Sequence, residues 1–249
     1  MPLILHKDPI LEAVCSFSLD APDWDLTVPG LVYNKIRNDY PRKADAPQFH
    51  FKVEETSEGV TPSVETQLGR IQFWGKNNQT LVQIGPGHLS IHQLKPYSNW
   101  SEFKKQIEAV LRHYEEAAPF RAINAISLRY INRLPWPQER VQIQDVLRVV
   151  PQIPDSDNQI WTSWFQQVQI LKPEFRAGLT VGAGSVPTQV DGTSSAMLDL
   201  SFGHIEGEPI QRNSVSSWLE IAHTEIERMF LTSLQEEYLQ RFNPEVVNE

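Results

Sequence analysis

The chain carries one cysteine, Cys15, in 249 residues. It can form no intramolecular disulfide and no cysteine-based zinc centre. That scarcity points to a reducing compartment. Long apolar runs are also missing. No stretch approaches the roughly 18–20 residues of a membrane span. The opening Met1-Pro2-Leu3-Ile4-Leu5-His6-Lys7-Asp8-Pro9 lacks the apolar centre of a secretory leader. Positive charge is scarce as well, with 22 Lys and Arg against 31 Asp and Glu and a formal net charge of −9. Proteins that bind nucleic acid draw most of their affinity from neutralising phosphates, so a surplus of acid lowers that prospect. The expectation is a soluble cytoplasmic protein, with no membrane association and with nucleic acid disfavoured as a partner.

Apolar residues make up 40% of the chain and charged residues 21%, which is an ordinary globular mixture. Seven Trp and eleven Phe supply large apolar area for a core. From Ile10 to Leu19 the pattern alternates, with Leu11, Ala13, Cys15, Phe17 and Leu19 on one face. That is a half-buried strand, and it makes Cys15 a packing residue. A short helix is expected over Leu31 to Asn38, a strand over Phe49 to Glu54 and a loop over Thr56 to Pro62. Arg70–Trp74 and Thr80–Ile84 flank Gly75-Lys76-Asn77-Asn78, which marks a hairpin. Gly85-Pro86-Gly87 turns into a further strand, His88–Gln93. Asn99, with Glu102 three residues on, opens a helix with an apolar stripe of Phe103, Ile107, Val110, Leu111 and Tyr114. Ala122 to Leu134 returns as a strand. Trp161–Leu171, Arg176–Ala183 and Ala196–His204 are three more. Asn213 or Ser214 caps a long final helix, with Trp218, Ala222, Ile226 and Met229 on one stripe. Residues 235–249 are polar and are expected to end loosely.

The fold class is therefore α+β, one domain over 1–249. Antiparallel sheet is packed by long amphipathic helices, and 1–137 and 138–249 offer themselves as two similar halves. The order of elements excludes a doubly wound nucleotide fold.

Most candidate chemistry has a plain structural explanation. His88 and His92 would share a metal on a helix. On a strand they stand about 13 Å apart at ~3.3 Å per residue, too far to chelate. His204, Glu206 and Glu208 cluster near a strand end, where solvated carboxylates are the ordinary reading. Gly182-Ala183-Gly184-Ser185 lacks the following helix that a phosphate-binding loop requires and is expected as a loop. No Gly-x-Ser-x-Gly elbow anchors a serine hydrolase. His223 lies beside the apolar stripe of the last helix, one turn before Glu227. It is either a polar edge residue or a general base. The aromatic set Trp136, Trp161, Trp164 and Phe165 has few basic residues interleaved and is assigned to packing. The most informative segment is Ser127-Leu128-Arg129-Tyr130-Ile131-Asn132-Arg133. Alternation puts Ser127, Arg129 and Arg133 on one face and Leu128, Tyr130 and Asn132 on the other. Two guanidiniums on one face can receive a phosphate or carboxylate, or pair with acids on neighbouring strands, Glu12 among them.

Four segments carry a resemblance: Pro9-Ile10-Leu11-Glu12-Ala13-Val14, Tyr97-Ser98-Asn99-Trp100-x-x-Phe103, Leu128-Arg129-Tyr130-Ile131-Asn132-Arg133, and Ala222-His223 followed by Phe230. On these the chain resembles a sporadically distributed bacterial family of uncharacterised proteins of about this length. Asn99 stands where that family more often has glycine. The resemblance implies no particular reaction. Its patchy distribution implies accessory loci such as phage-defence or toxin–antitoxin modules.

The function expected from these observations is non-enzymatic binding of a protein partner or a small anionic ligand. Ser127, Arg129, Arg133 and His223 are the candidate ligand-binding residues, with no metal and no cofactor called for. A hydrolase or nucleotide-processing enzyme on the Arg129/Arg133 face is the alternative, and nucleic-acid binding is a third. The final helix and the Trp-rich segment each offer a surface for a homodimer.

Overall fold

The computed structural model describes residues 3–5, 8–56, 59–136, 143–152, 163–186, 194–205, 207–242 and 244–246, with backbone alone at 3–5, 46–68 and 244–246. Trp161 and Glu206 lie outside the described residues.

Alternating apolar side chains build one nine-stranded antiparallel sheet. Its strands are β2 (Ile10–Asp20), β3 (Arg42–Thr56), β4 (Gly59–Trp74), β5 (Thr80–Gly85), β6 (His88–Leu94), β7 (Ala122–Trp136), β8 (Phe165–Lys172), β9 (Ala177–Val186) and β10 (Ser194–His204). They lie side by side in the order β3-β4-β5-β6-β2-β7-β10-β9-β8. A separate two-stranded ribbon joins β1 (Leu3–Leu5) to β11 (Pro244–Val246). The helices are α1 (Val28–Ile36), α2 (Trp100–Ala117), α3 (Val215–Ser233) and the short α4 (Glu236–Leu239).

One face of the sheet is covered. Ala13, Cys15 and Phe17 of β2, Leu89 and Ile91 of β6, Leu128 of β7 and Leu198, Leu200 and Phe202 of β10 belong to one buried cluster with the helices. Helix α2 lies over β6, α3 lies over β10 and β7, and α1 packs on α2. Helix α2 buries Phe103, Ile107, Val110, Leu111 and Tyr114, and α3 buries Val215, Trp218, Leu219, Ala222, Ile226 and Phe230. Asn99 starts α2 by accepting the Glu102 amide at 2.9 Å, as the capping pattern requires. Burial holds the Cys15 thiol fully protonated, far above its ordinary range.

Two tight turns place β4, β5 and β6 side by side. Between β4 and β5, Asn78 takes a positive φ of 62°, which asparagine tolerates in tight hairpins. Between β5 and β6, Gly87 has φ 60°, and a Cβ there would come within 2.9 Å of the Leu19 carbonyl oxygen.

The strand β2 is not regular. Ile10 pairs with Asn132 and Glu12 with Ile131, so Leu11 is an extra residue against β7. This β-bulge turns Ile10 toward the covered face and Glu12 toward the open face. Strict alternation would have put both on one side.

Three expectations are corrected. The loop expected over 56–62 is a hairpin: β3 and β4 pair to their ends, Thr56 against Gly59 and Glu54 against Thr61. Gly182, Gly184 and Ser185 belong to β9, paired to β10. Glycine there leaves the strand narrow, and Gly184 lies against the Trp164 carbonyl and the Phe165 ring. The C-terminal segment is anchored, because Tyr238 and Phe242 are buried and the Tyr238 hydroxyl donates to the Pro135 carbonyl at 2.7 Å. Its polar composition hid two aromatic anchors.

Candidate functional site

The bulge in β2, the segment before α2, the strand β7 and the middle of α3 meet around a cavity of about 550 Å³. Asp8, Pro9 and Ile10 come from the start of β2, Tyr97, Ser98, Asn99 and Trp100 from the head of α2, and Tyr130 and Asn132 from β7. His223, Ile226, Glu227 and Phe230 come from α3, and Leu200 of β10 forms part of the floor. All four sequence segments quoted for the family resemblance thus contribute to one wall or another.

Hydrogen bonds fix the frame. The Arg133 amide donates to the Pro9 carbonyl and the Lys95 amide to the Leu11 carbonyl, both at 2.9 Å, so the bulge is clamped from both sides. Asp8 Oδ1 accepts the Ile10 amide at 2.8 Å. Trp100 donates its indole N–H to Glu220 at 2.9 Å, and Lys104 holds the other oxygen of Glu220 at 2.6 Å. The Trp100 ring is thereby set to stack on His223, with centroids 4.3 Å apart and planes 11° from parallel. The Tyr130 hydroxyl lies 3.3 Å from His223 Nδ1 and 3.2 Å from the Tyr97 hydroxyl.

Burial sets the protonation states. Desolvation pulls His223 down to about 4, against a smaller opposing pull from Glu220. His223 is therefore neutral at pH 7, and its Nδ1 shares one hydrogen bond with the Tyr130 hydroxyl. Burial raises both carboxyls, Asp8 and Glu227, above their ordinary values; the Ile10 amide, the charge of Lys95 and the Tyr97 amide partly oppose it for Asp8, and the amino-terminal charge for Glu227. Burial also raises the Tyr97 and Tyr130 hydroxyls, so both stay protonated.

Several acceptors in the cavity have no partner. Asp8 Oδ2 is buried and unbonded. Asn132, only 2% exposed, donates its amide nitrogen to the Leu198 carbonyl at 3.1 Å and the Tyr130 carbonyl at 3.4 Å. Its Oδ1 then has no donor among the described residues. No lysine or arginine lines the cavity among the described residues. A buried polar atom without a partner costs about 1–3 kcal/mol, and such atoms in a cavity mark a place where something else binds.

The residues singled out from sequence divide between the two faces of the sheet. His223 is in the cavity. Ser127, Arg129 and Arg133 are on the opposite, open face, because Tyr130 and Asn132 between them point inward. Arg129 makes a two-pronged pair with Asp199 of β10, its Nε 2.7 Å from Oδ1 and Nη2 on Oδ2. Arg133 donates to Ser195 Oγ at 2.9 Å. Glu12, offered as a partner for Arg129, supports it by charge alone and is hydrogen-bonded to His92 Nδ1 at 2.7 Å, while His92 Nε2 meets Ser90 Oγ at 2.8 Å. The order Glu12–His92–Ser90 is that of a hydrolase triad. Ser90, however, is 1% exposed in the middle of β6, so no substrate carbonyl reaches it. His88 and His92 share that strand, as the geometry argument required. Arg176 pairs with Glu208 at 2.7 Å beside the strand end that bears His204. No metal-binding cluster occurs among the described residues.

A second depression, of about 600 Å³, lies beside Arg42, Lys43, Ala44, Trp74 and Asn78. Its cations are already seated on aromatic rings, Lys43 on Tyr33 and Arg42 on Trp74. None of the buried unpartnered atoms belongs to it.

The sequence reading missed Asp8, Glu227 and Asn132 as site residues. Asn132 carried a usable signal: it is an amide on the face that alternation assigns to the core. Comparison with protein families and with curated proteins returns no match. No helix among the described residues is long and apolar enough to cross a membrane.

Proposed function

We propose that the protein is a non-enzymatic binding protein that takes a small organic ligand in the cavity between β7, α2 and α3. The observation that carries this reading is the cavity itself. It has about 550 Å³ of space, aromatic and aliphatic walls, one buried oxygen without a partner, Asp8 Oδ2, and the Asn132 Oδ1 acceptor without a donor among the described residues. Ligand sites have this composition: mostly apolar lining with a few fixed polar groups. The frame is prepared in advance, since the bulge clamps and the Glu220–Trp100 contact hold the walls without a ligand.

The open face supports the alternative less well. Arg129 is matched by Asp199, and Arg133 is bonded to Ser195. The strand order supports a reading as two similar halves. From the central β2–β7 pair outward run β6, β5, β4 and the edge strand β3 on one side and β10, β9 and β8 on the other. Each run leads into a helix, α2 or α3. The cavity then sits where the two helices meet over the central pair. The accessory-locus setting implied by the family resemblance fits a protein that responds to a small molecule.

Ligand-observed NMR with a set of small neutral and charged probes tests the reading. Saturation transfer to several probes is expected, and Ile10→Trp, which fills the cavity from its rim, should abolish it while leaving the circular dichroism unchanged. Transfer that persists in Ile10→Trp, or none to any probe in the wild type, would refute it.

A further inference from the structure

The polarity of the cavity runs one way. Asp8 offers Oδ2, Glu227 a carboxylate with no hydrogen-bond partner among the described residues, and Asn132 its Oδ1. All three are acceptors. Two of them carry negative charge at neutral pH, and the described lining supplies no cation to answer them. Lys95 lends Asp8 a distant attraction, but it is an exposed residue outside the lining. His223, the one titratable base in the wall, is neutral and already committed to Tyr130 and Trp100. The positive end of α2, the charge of Lys95 on Asp8 and the amino-terminal charge on Glu227 oppose them from outside the lining, and Asn99 itself takes up the Glu102 amide at that helix end. Tyr97, Tyr130 and Phe230 add aromatic walls, which receive cations on their faces. Holding two like charges in one wall with no cation in the described lining is costly, and the missing component is a positive donor.

We propose that the cavity binds a small organic cation bearing N–H groups, a primary ammonium or a guanidinium, with Asp8 and Glu227 as its counter-charges and Asn132 Oδ1 as a third acceptor. This inference rests on the reading of the cavity as a ligand site and specifies what enters it. It reverses the sign of the ligand expected from Arg129 and Arg133, which the sheet keeps on the other face. Burial already raises both carboxyls in the empty protein. A bound cation lowers them again, so uptake is accompanied by proton release at acid pH and weakens as pH falls.

The test is a matched series of five probes on the full chain at pH 7.5: pentylamine, pentylguanidine, pentyltrimethylammonium, pentanol and pentanoate. Titration calorimetry and saturation-transfer NMR give the relative affinities. Pentylamine and pentylguanidine should bind at least about tenfold more tightly than pentanol, a difference of about 1.4 kcal/mol. Asp8→Asn and Glu227→Gln should each remove most of that preference while leaving pentanol binding within about twofold. Two variants guard against a failure of either to fold, and both should melt no lower than the wild type, since each deletes a desolvated charge. Equal binding of pentanol and pentylamine, tighter binding of pentanoate, or a preference untouched in both variants would overturn the proposal and leave the ligand-site reading standing. Pentyltrimethylammonium binding as tightly as pentylamine would overturn the role of the N–H donors. If none of the five binds, the ligand-site reading falls and this inference falls with it.

Discussion

Replacing His223 by glutamine removes a group whose protonation the fold resists. In the native protein its pKa falls from 6.5 to about 4 because burial against Trp100 and Tyr130 strips water from the imidazolium. Between those two values the unfolded chain takes up a proton that the folded chain refuses. Stability from this source is therefore complete above pH 6.5 and is lost progressively as pH falls toward 4. At about 1.4 kcal/mol per pH unit the full loss is about 3 kcal/mol, and about 2 kcal/mol of it is gone by pH 5. His88 is also held down to about 4 by burial and by Arg70, so the wild-type curve alone mixes two histidines. The difference between wild type and His223→Gln isolates one. Glu220, Glu227 and Asp8 face the same region, and they are common to both proteins. Urea unfolding from pH 7.5 to 4.5 should show wild type losing about 2.5 kcal/mol more than the variant. NMR titration of the His223 ring should show no protonation above pH 5. A difference that stays flat across this range, or a ring that titrates near 6.5, would refute the account of a desolvated imidazole and with it the closed wall of the cavity.

Three further outcomes follow from the same structure. Asp199→Ala strips Arg129 of its paired carboxylate, but the guanidinium is 48% exposed; the cost by chemical denaturation should be about 0.5–1 kcal/mol, and ligand binding should not change. Asn99→Ala removes the cap of α2 and should lower stability by about 1 kcal/mol, with Asn99→Asp restoring most of it in thermal melts. The Cys15 thiol, wholly buried, should react with a thiol reagent only at the rate of unfolding; rapid labelling in native buffer would contradict the packing of β2.

The strands and helices were legible wherever one side is wet. The hairpin at Gly75-Lys76-Asn77-Asn78 and the Asn99 cap each register a local rule and hold, and the alternation expected over Ile10–Leu19 holds from Ala13 on but breaks at the Leu11 bulge. The expected loop at 56–62 failed because Pro62 and the flanking polar residues mimic turn composition, whereas cross-strand pairing decides the backbone. The candidate site was half legible. The segment from Ser127 to Arg133 reaches the cavity through Tyr130 and Asn132, not through Ser127, Arg129 or Arg133, and alternation split its side chains as expected. What sequence alone could not supply was which face the helices cover. Guanidiniums attract notice, yet they met partners on the open face. The cavity fell to Tyr130 and Asn132, together with Asp8 and Glu227, which come from chain segments far apart and carry no mutual spacing.

The extra residue at Leu11 has a consequence for how this chain tolerates change. Because of it, Ile10 reaches the cavity while Glu12, two positions on, holds His92 beneath the opposite surface. One short stretch of backbone serves both sides of the sheet. Deleting Leu11 alters no charge and removes only the carbonyl that takes the Lys95 amide, yet it would rotate everything before it by half a turn and carry Asp8 out of the cavity. Substitutions at this point are mild, while a length change of a single residue would erase the site and leave the sheet standing.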